Sequence, residues 1–214
     1  MNKDQSTSPD RLIIFGRYPV PGRTKTRLIP ALGQAGAADL QRRLTEDILE
    51  TVRRFARPRK IDVEICFAGG SRQTMRRWLG SKETLSRQVP GNLGERMQSA
   101  FLNAFQRGAK RVVLLGTDIP QLNTDHLKQG FNALAETDVV IGPSTDGGYG
   151  LIGVNHPADL FKGIRWSTDV VFSQTISLAK QQGLKVKILS PLNDIDTVED
   201  LNQVLPGWKE INNV

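Results

Sequence analysis

Short apolar runs alternate with helical patterns along almost the whole chain, and no other feature constrains the fold more tightly. Apolar residues recur at helical spacing between the runs, as at Leu40, Leu44 and Ile48. Strand-like composition marks six runs, at 11–16, 61–68, 111–115, 138–142, 151–154 and 184–189. The first, third and fourth are almost continuously apolar, as expected of parallel strands covered on both faces. The alternation therefore predicts an α/β protein with a mostly parallel sheet and right-handed crossovers.

The chain length of 214 residues fits a single domain. We place this domain at residues 11–208, preceded by a disordered polar tail at 1–10 and followed by a short tail at 209–214. In sheets of this type, ligands bind beyond the carboxyl ends of the strands, where the strand order reverses. Candidate site residues are therefore sought directly after the predicted strands.

Composition argues against several classes of protein. No apolar run approaches the roughly 20 residues of a membrane helix, and the first ten residues are polar, so we expect neither a membrane span nor a secretory signal. Cys66 is the only cysteine, which rules out an intramolecular disulfide and any multi-cysteine metal site. These features are typical of a cytoplasmic protein.

Positive charge is concentrated in the first half of the sequence. Residues 1–107 hold 20 Lys and Arg against 10 Asp and Glu, whereas residues 108–214 hold 9 against 12. A basic chain invites comparison with nucleic-acid-binding proteins. Many of the cations fall on predicted amphipathic helices, however, and there is no RNA-binding aromatic motif or zinc-finger spacing. No specific nucleic-acid partner is expected.

The segment FGRYPVPGRTKTRL resembles a phosphate-binding P-loop only superficially. Five residues separate Gly16 from Gly22, and two more precede Lys25, so the required spacing is absent. Pro19 and Pro21 each remove a backbone donor and fix φ, which predicts a stiff, extended segment rather than an anion nest. We call residues 17–28 the basic arm. Its anion-binding candidates are Arg23, Lys25 and Arg27, which follow the hinge at Gly22.

An acidic residue follows the strand at 111–115. In the sequence GTDIPQL, Asp118 lies three positions beyond the strand end, where a carboxylate can hold a divalent ion or a ligand. The alternative is that Asp118 caps the next helix, but Asn123 and Thr124 lie closer to that helix start. We therefore predict a binding role for Asp118.

A glycine-rich segment, PSTDGGYG, follows the strand at 138–142. Its glycines permit positive φ and close approach of a ligand to the backbone. A plain turn between two strands is the alternative, since Asp-Gly alone is a common turn signal. The candidates for substrate contact here are Gly147, Gly148 and Tyr149, beside Asp146 as a candidate general base.

Two carboxylates precede the last predicted helix. Asp194 and Asp196 alternate around Ile195, so both project to the same side of an extended segment. Like charges placed in this way need a compensating cation. Oxygen ligands without clustered His or Cys favour Mg²⁺ or Mn²⁺ over zinc.

Two further segments leave alternatives open. In GNLGERM, Glu95 and Arg96 fit either simple helix initiation or a nucleotide contact. In IRWST, Trp166 fits either a core or lid aromatic or a residue that stacks on the substrate. No Ser/His/Asp or Cys/His nucleophile arrangement is present.

Taken in order, five motifs resemble one known superfamily. They read R-x-P-x-P-G-x-x-K-T-R-L, L-G-E-R-M, G-T-D-I-P, G-P-x-x-D-G-G-Y and D-I-D-T-x-E-D-L. Over residues 11–205 the chain resembles the nucleotide-diphospho-sugar transferase superfamily with the GT-A fold. Within it, the chain is most similar to a bacterial branch grouped with glycosyltransferases of arsenosugar biosynthesis and with radical-SAM-associated proteins. The resemblance implies a three-layer α/β/α domain with a Rossmann-like mixed sheet.

The resemblance also implies roles for individual residues. The arm would bind the nucleotide phosphates, Asp118 would ligate the metal, Asp194 or Asp196 would complete the metal site, and the D-G-G-Y loop would face sugar or acceptor. The nucleotide-binding candidates are then Arg17, Gly22, Arg23, Lys25, Arg27, Glu95, Arg96 and Thr117. Asp146 and Lys25 are the catalytic candidates.

These features predict a Mg²⁺- or Mn²⁺-dependent transferase that uses a nucleotide-activated donor and a small-molecule acceptor. Glycosyl transfer from a nucleotide-diphospho-sugar is the leading hypothesis. The alternative enzyme is a nucleotidyltransferase that joins a nucleoside monophosphate to a phosphorylated acceptor. A third hypothesis is a non-catalytic protein that binds nucleotides or, weakly, nucleic acid. The sequence does not indicate an oligomeric state.

Overall fold

A computed structural model describes residues 8–80 and 82–208, and the predicted tail at 209–214 lies outside these ranges. Residues 1–7 of the predicted N-terminal tail also lie outside them. The remaining residues of that tail belong to the sheet region, since Ser8 N donates to Asp62 and Pro9 O accepts from Arg111 N. The domain therefore begins earlier than the predicted boundary at residue 11, and the prediction of a disordered tail is wrong for residues 8–10.

One seven-stranded sheet organises the described residues. Its strands are β1 (Asp10–Arg17), β2 (Asp62–Ala68), β3 (Thr84–Arg87), β4 (Arg111–Leu115), β5 (Val139–Pro143), β6 (Tyr149–Val154) and β7 (Val186–Ile188). The α-helices are α1 (Ile29–Ala56), α2 (Arg72–Leu79), α3 (Leu93–Gln106), α4 (Thr124–Ala133), α5 (Val171–Gln181) and α6 (Val198–Val204). Short 3₁₀ turns cover Thr26–Leu28 and Arg57–Arg59, and α1 is interrupted at Gly33.

The strand order is β3-β2-β1-β4-β6-β5-β7. Every neighbouring pair is parallel except those of β6, which runs antiparallel to both β4 and β5. This confirms the predicted mostly parallel, mixed sheet. All six predicted strands are present; the run at 111–115 matches β4 at both ends, and the other five are shifted at one or both ends. The additional strand is β3, whose sequence TLSR contains a single apolar residue and therefore gave no apolar signal.

Apolar side chains fill both faces of the sheet. On one face α1, α2 and α4 pack their buried residues, such as Phe55, Met75 and Phe131. On the other, α3 and α5 contribute residues such as Phe101 and Ala179. The predicted three-layer arrangement is therefore confirmed. None of the described helices is long and apolar enough to cross a membrane.

A separate apolar cluster joins the two ends of the chain near the carboxyl edge of the sheet. It packs Leu28, Leu32 and Leu44 against Ile195 and Leu201. Thr197 caps α6, and the Asp200 side chain accepts a hydrogen bond from Thr197 N in return. The cluster fixes the basic arm beside the Asp194–Asp196 segment although some 170 residues separate them in sequence.

Candidate functional site

Two adjoining hollows lie at the carboxyl ends of β1, β4 and β5, where the strand order reverses. The larger one, about 470 Å³, contains five aspartates, and we call it the acidic cavity. The smaller one, about 250 Å³, contains most of the cations of the arm, and we call it the basic recess. Arg27, Asp118 and Asp196 line both, so the two hollows form one continuous site.

The basic arm leaves β1 and folds into a compact turn. Thr24 is buried and its hydroxyl accepts a hydrogen bond from Val20 N at 3.0 Å. Arg23 N donates to Val20 O at 3.0 Å. Gly22 has a φ of 75°, and a Cβ there would lie 3.0 Å from the side-chain oxygen of Gln34. The backbone therefore turns at Gly22, and the turn directs the following cations towards the strand ends.

Lys25 is held among carboxylates. Its Nζ lies 3.0 Å from Asp118 Oδ1 and 3.3 Å from Asp196 Oδ1, and it also donates to the carbonyl of Ile195. The side chain is only 3% exposed. Its backbone adopts the left-handed region, with φ 50° and ψ 47°, which is uncommon for a residue with a side chain. A strained backbone conformation at Lys25 thus accompanies the placement of its ammonium beside two carboxylates.

Asp118 emerges from β4 as predicted, with its carboxylate 41% exposed. It does not cap the next helix, because Asn123 caps α4. Ile195 N donates to Asp118 O at 3.0 Å, which ties the two acidic segments together. Asp118 Oδ1 is buried and has no well-aligned hydrogen bond. Its 3.0 Å contact with Lys25 Nζ is therefore an ion pair rather than a hydrogen bond. This buried carboxylate oxygen therefore already has a cation, the Lys25 ammonium, beside it.

Asp194 experiences the most unusual electrostatic environment of the acidic residues. Burial, followed by the charge of Asp146 and the smaller contribution of Asp196, raises the pKa of Asp194 to about 6. Asp146 and Asp194 are neighbours because Leu192 N donates to Pro143 O, which joins their two loops. Half of the Asp194 side chains would therefore be protonated near pH 6.

The glycine-rich loop is a tight turn built around Asp146. The Oδ1 atom of Asp146 accepts from Gly148 N at 2.9 Å and also from the Ser144 hydroxyl. Gly147 has a φ of 86°, and a Cβ there would lie 2.2 Å from the carbonyl oxygen of Asp169. One oxygen of Asp146 therefore holds the loop, while the carboxylate as a whole is exposed at the acidic cavity.

Aromatic residues form another wall of the acidic cavity. Trp166 lines it and packs against Phe161, with ring centroids 6.3 Å apart. A Cβ on Gly94 would lie 2.7 Å from the Trp166 ring, so this glycine lets α3 approach closely. Tyr149 also lines the cavity, and burial raises the pKa of its phenol well above the ordinary value. Its hydroxyl stays a neutral donor at physiological pH.

Residues 51–168 match the family described as "Uncharacterized protein conserved in bacteria (DUF2064)". The chain belongs to the DUF2064 family. A solved structure of a "putative nucleotide-diphospho-sugar transferase" from Desulfovibrio desulfuricans G20 is 37% identical, with a TM-score of 0.86 over 92% of this chain and 87% of that one. This similarity confirms the resemblance to the nucleotide-diphospho-sugar transferase superfamily and shows that the DUF2064 chain has a transferase fold.

Two more distant matches are proteins whose names state a reaction or a bound metal. The 2-phospho-L-lactate guanylyltransferase of Methanobrevibacter smithii is 23% identical over 90% of the DUF2064 chain and 84% of its own length. The structure of Rv0371c from Mycobacterium tuberculosis H37Rv, solved in complex with manganese, is 16% identical, with a TM-score of 0.51 over 92% of this chain and 98% of that one. The second similarity concerns the fold alone.

The DUF2064 structure gathers most of the predicted site residues. The two hollows are lined by Arg17, Lys25, Arg27, Asp118, Asp146, Gly148, Tyr149, Trp166, Asp194 and Asp196. Among residues 8–80 and 82–208, however, no group of three or more acidic, His or Cys side chains already has metal-binding geometry. The assigned roles stay predictions, because proximity alone does not establish them.

Other predicted residues have structural contacts instead. Glu95 accepts from Asn92 N in the capping box of α3, and Arg96 donates to Gly91 O. Thr117 is buried behind Asp118 and accepts from the Gln41 amide at 2.9 Å. Helix initiation thus accounts for the contacts of Glu95, and the predicted nucleotide contacts of these three residues stay predictions.

The sequence reasoning missed several residues that line the acidic cavity. They include Phe15, Leu93, Met97, Ser144, Thr168 and Asp169. Phe15 and Met97 resemble ordinary core positions, so nothing distinguishes them in sequence. Asp169 had a usable signal, since it follows Trp166 within the polar segment WSTD.

Proposed function

We propose that this protein transfers a glycosyl group from a nucleotide-diphospho-sugar to an uncharged, hydroxyl-bearing acceptor. The observation that carries the proposal is the division of one continuous site into a basic recess and an acidic cavity. A donor of this kind has the same division, with a charged diphosphate at one end and a neutral sugar at the other.

The basic recess suits the diphosphate. Arg17, Lys25 and Arg27 line it, and Arg23 lies on the exposed side of the same turn. Guanidinium groups match phosphate oxygens in charge and geometry. Arg27 is 68% exposed, so its side chain can follow a ligand without breaking core contacts.

The acidic cavity suits a neutral partner. Among the described residues that line it, Arg27 is the only Lys or Arg, whereas five are aspartates. A phosphorylated acceptor would meet repulsion from these carboxylates along most of the wall. Hydroxyl groups can instead donate to carboxylates, while Trp166 and Tyr149 offer apolar faces.

A divalent metal is proposed to bind between the two hollows. Asp118 and Asp196 supply hard oxygen donors, and the buried Asp118 oxygen without an aligned hydrogen bond fits such a ligand. The manganese complex of Rv0371c supports Mn²⁺ or Mg²⁺ on this fold. When bound, the ion would neutralise charge that develops on the leaving diphosphate.

The proton of the acceptor hydroxyl requires a base. Asp146 is the predicted candidate, and its second oxygen is not used in the loop turn. Asp194 is an additional candidate, because a carboxylate with a pKa of about 6 is a stronger base than an ordinary one. Both line the acidic cavity rather than the basic recess.

Nucleotidyl transfer is the second candidate, and the guanylyltransferase relative favours it. In that reaction the basic recess would hold the leaving pyrophosphate of a nucleoside triphosphate. The acceptor would then be a phosphorylated molecule that must enter a cavity with a single cation.

Matched ligands separate the two candidates. Melting temperatures are measured with GTP, UTP, GDP-mannose and UDP-glucose, each with and without Mn²⁺, for the native chain and for Asp118→Asn. A sugar nucleotide that stabilises the native chain more than the triphosphate with the same base supports glycosyl transfer. The reverse order supports nucleotidyl transfer, and no metal-dependent stabilisation by any of the four argues against both.

A further inference from the structure

We propose that Lys25 is a tethered counter-ion that occupies the carboxylate site of the free protein and leaves it only when a nucleotide offers its phosphates. The divalent ion and the nucleotide would then bind together, and the ion alone would bind poorly. This inference rests on the proposed use of a metal and a nucleotide at this site.

The first support is the way in which the ammonium is coordinated. Lys25 Nζ lies within ion-pair distance of both Asp118 Oδ1, at 3.0 Å, and Asp196 Oδ1, at 3.3 Å. The carbonyl of Ile195 accepts a further hydrogen bond from it. Two carboxylates and a carbonyl are the oxygen donors that a hard divalent cation would itself use.

Occupation by the ammonium and by a metal is mutually exclusive. A Mg²⁺ or Mn²⁺ ion bonded to the same Asp118 and Asp196 oxygens would lie about 2.0–2.2 Å from each of them. It would then be in contact with the ammonium, and two cations at that distance repel strongly. Metal binding therefore requires Lys25 to move.

Removal of Lys25 from the carboxylates is costly without a new partner. The side chain is only 3% exposed, and an ammonium that is separated from its counter-charges in a buried place is strongly destabilised. Lys25 also lines the basic recess beside Arg17 and Arg27, where the phosphates of a nucleotide are proposed to bind. A phosphate placed there supplies the alternative partner.

The exchange couples the two ligands thermodynamically. If the nucleotide draws Lys25 away from Asp118 and Asp196, it raises the affinity for the metal, and the metal raises the affinity for the nucleotide by the same factor. Lys25 would in this way prevent the carboxylates from being filled by a metal ion before the donor is present.

The decisive measurement uses Mn²⁺ alone. Free Mn²⁺ is followed by electron paramagnetic resonance as it is titrated into the native chain, Lys25→Met and Arg23→Met. We expect Lys25→Met to bind Mn²⁺ at least about tenfold more tightly than the native chain, within the 5- to 150-fold range of typical site coupling. Arg23→Met removes the same charge from an exposed position of the arm and controls for the general loss of positive field.

Equal Mn²⁺ affinity in Lys25→Met and the native chain would overturn the proposal, and so would an equal gain in both variants. Circular dichroism and thermal melting establish that each variant is folded. If Lys25→Met does not fold, the native chain supplies the test through the Lys25 ammonium resonance in ¹⁵N NMR. That resonance should stay unchanged with Mg²⁺ alone and shift with Mg²⁺ plus the best nucleotide, and a shift with Mg²⁺ alone would overturn the proposal.

The outcome is separable from that of the proposed function. A gain of Mn²⁺ binding in Lys25→Met without any nucleotide binding in the native chain would contradict the transferase proposal and the nucleotide-driven release of Lys25, but not its occupation of the carboxylate site. Metal-dependent nucleotide binding in the native chain, with no gain in Lys25→Met, would contradict the counter-ion proposal only.

Discussion

The two sides of the site are built in different ways. On the acidic side the backbone fixes the carboxylates: Ile195 N donates to Asp118 O, and Asp200 accepts from both Asp196 N and Thr197 N. On the basic side, Thr24 and Leu28 are buried and the Lys25 ammonium is held among the acids, while the Arg27 side chain is 68% exposed. The acids form a rigid surface and the arginines a mobile one.

This difference suggests a division of labour. Metal ligands must be held close to their final geometry, because misplaced ligands weaken coordination. Phosphate contacts tolerate movement, since long side chains can reorient around an anion. Lys25 belongs to both sides, because its backbone is part of the arm and its ammonium lies among the acids.

The largest expected effect tests the rigid side directly. Asp118→Asn should weaken metal-dependent nucleotide binding at least about 100-fold. Mutation of residues that merely hydrogen-bond to a metal ligand already lowers metal affinity about 10- to 100-fold. Isothermal titration with the best-binding nucleotide and Mn²⁺ measures the change. Asp125→Asn, an exposed carboxylate in the first turn of α4, is the matched control and should bind normally. Unchanged binding by Asp118→Asn would remove Asp118 from the site.

The next prediction concerns the backbone that shapes the acidic cavity. Gly147→Ala should cost more than about 1–3 kcal/mol in free energy of unfolding, because positive φ is strained for alanine and the added Cβ meets the backbone of Asp169. Gly163→Ala shares the positive φ but meets nothing within 4 Å, so it controls for strain alone. Urea denaturation compares the two. Equal losses would mean that the close packing of the loop against Asp169 contributes nothing.

A third prediction concerns an ion pair in the basic half. Arg53 donates to Glu83 at 2.6 and 2.8 Å, which links α1 to the segment before β3. Burial by itself would raise the pKa of Glu83, but the hydrogen bond and charge of Arg53 outweigh it and lower the pKa. Glu83→Gln should therefore cost about 1–3 kcal/mol at pH 7.

The pH dependence of this effect has a definite sign. Because the folded pKa of Glu83 is lowered, the pair stabilises the protein above the unfolded pKa, and this contribution is lost as the pH falls through the folded value. The stability difference between the native chain and Glu83→Gln should shrink in urea titrations between pH 7 and pH 3. A difference that is constant with pH would show that the charge of Glu83 is unimportant.

The smallest effect is expected on the mobile side. Arg27 pairs with Asp196 at 3.6 Å while largely exposed, and such surface pairs contribute about 0–1 kcal/mol. Arg27→Met should leave the melting temperature nearly unchanged and weaken nucleotide binding only modestly, with the loss diminishing at high salt. A large loss of stability would mean that the arm is fixed along its whole length.

Much of the fold could be predicted because strong local patterns produced it. Near-continuous apolar runs identified β1, β4 and β5. The strand β3 escaped prediction because its stability comes from pairing with β2 rather than from its own pattern. The helix α5 begins at Val171 without a side-chain cap, so no capping residue marks its start in the sequence.

The candidate site was predictable only in part. Position after a strand put Asp118 at the carboxyl end of β4, and alternation around Ile195 put Asp194 and Asp196 on one side of their segment. All three line the acidic cavity. The ammonium of Lys25 was expected at phosphate and lies instead at carboxylates. That contact joins residues 171 positions apart, so only the tertiary fold determines it.

The antiparallel direction of β6 has an evolutionary consequence. Because β6 runs against β5, the connection between them is a hairpin loop whose two ends, at Pro143 and Tyr149, both emerge at the site. Insertions or deletions in this loop would reshape the acidic cavity without disturbing strand register elsewhere. A change in the length of this one short loop can therefore alter which substrates fit the cavity, while the sheet and Asp118, Asp194 and Asp196 stay in place.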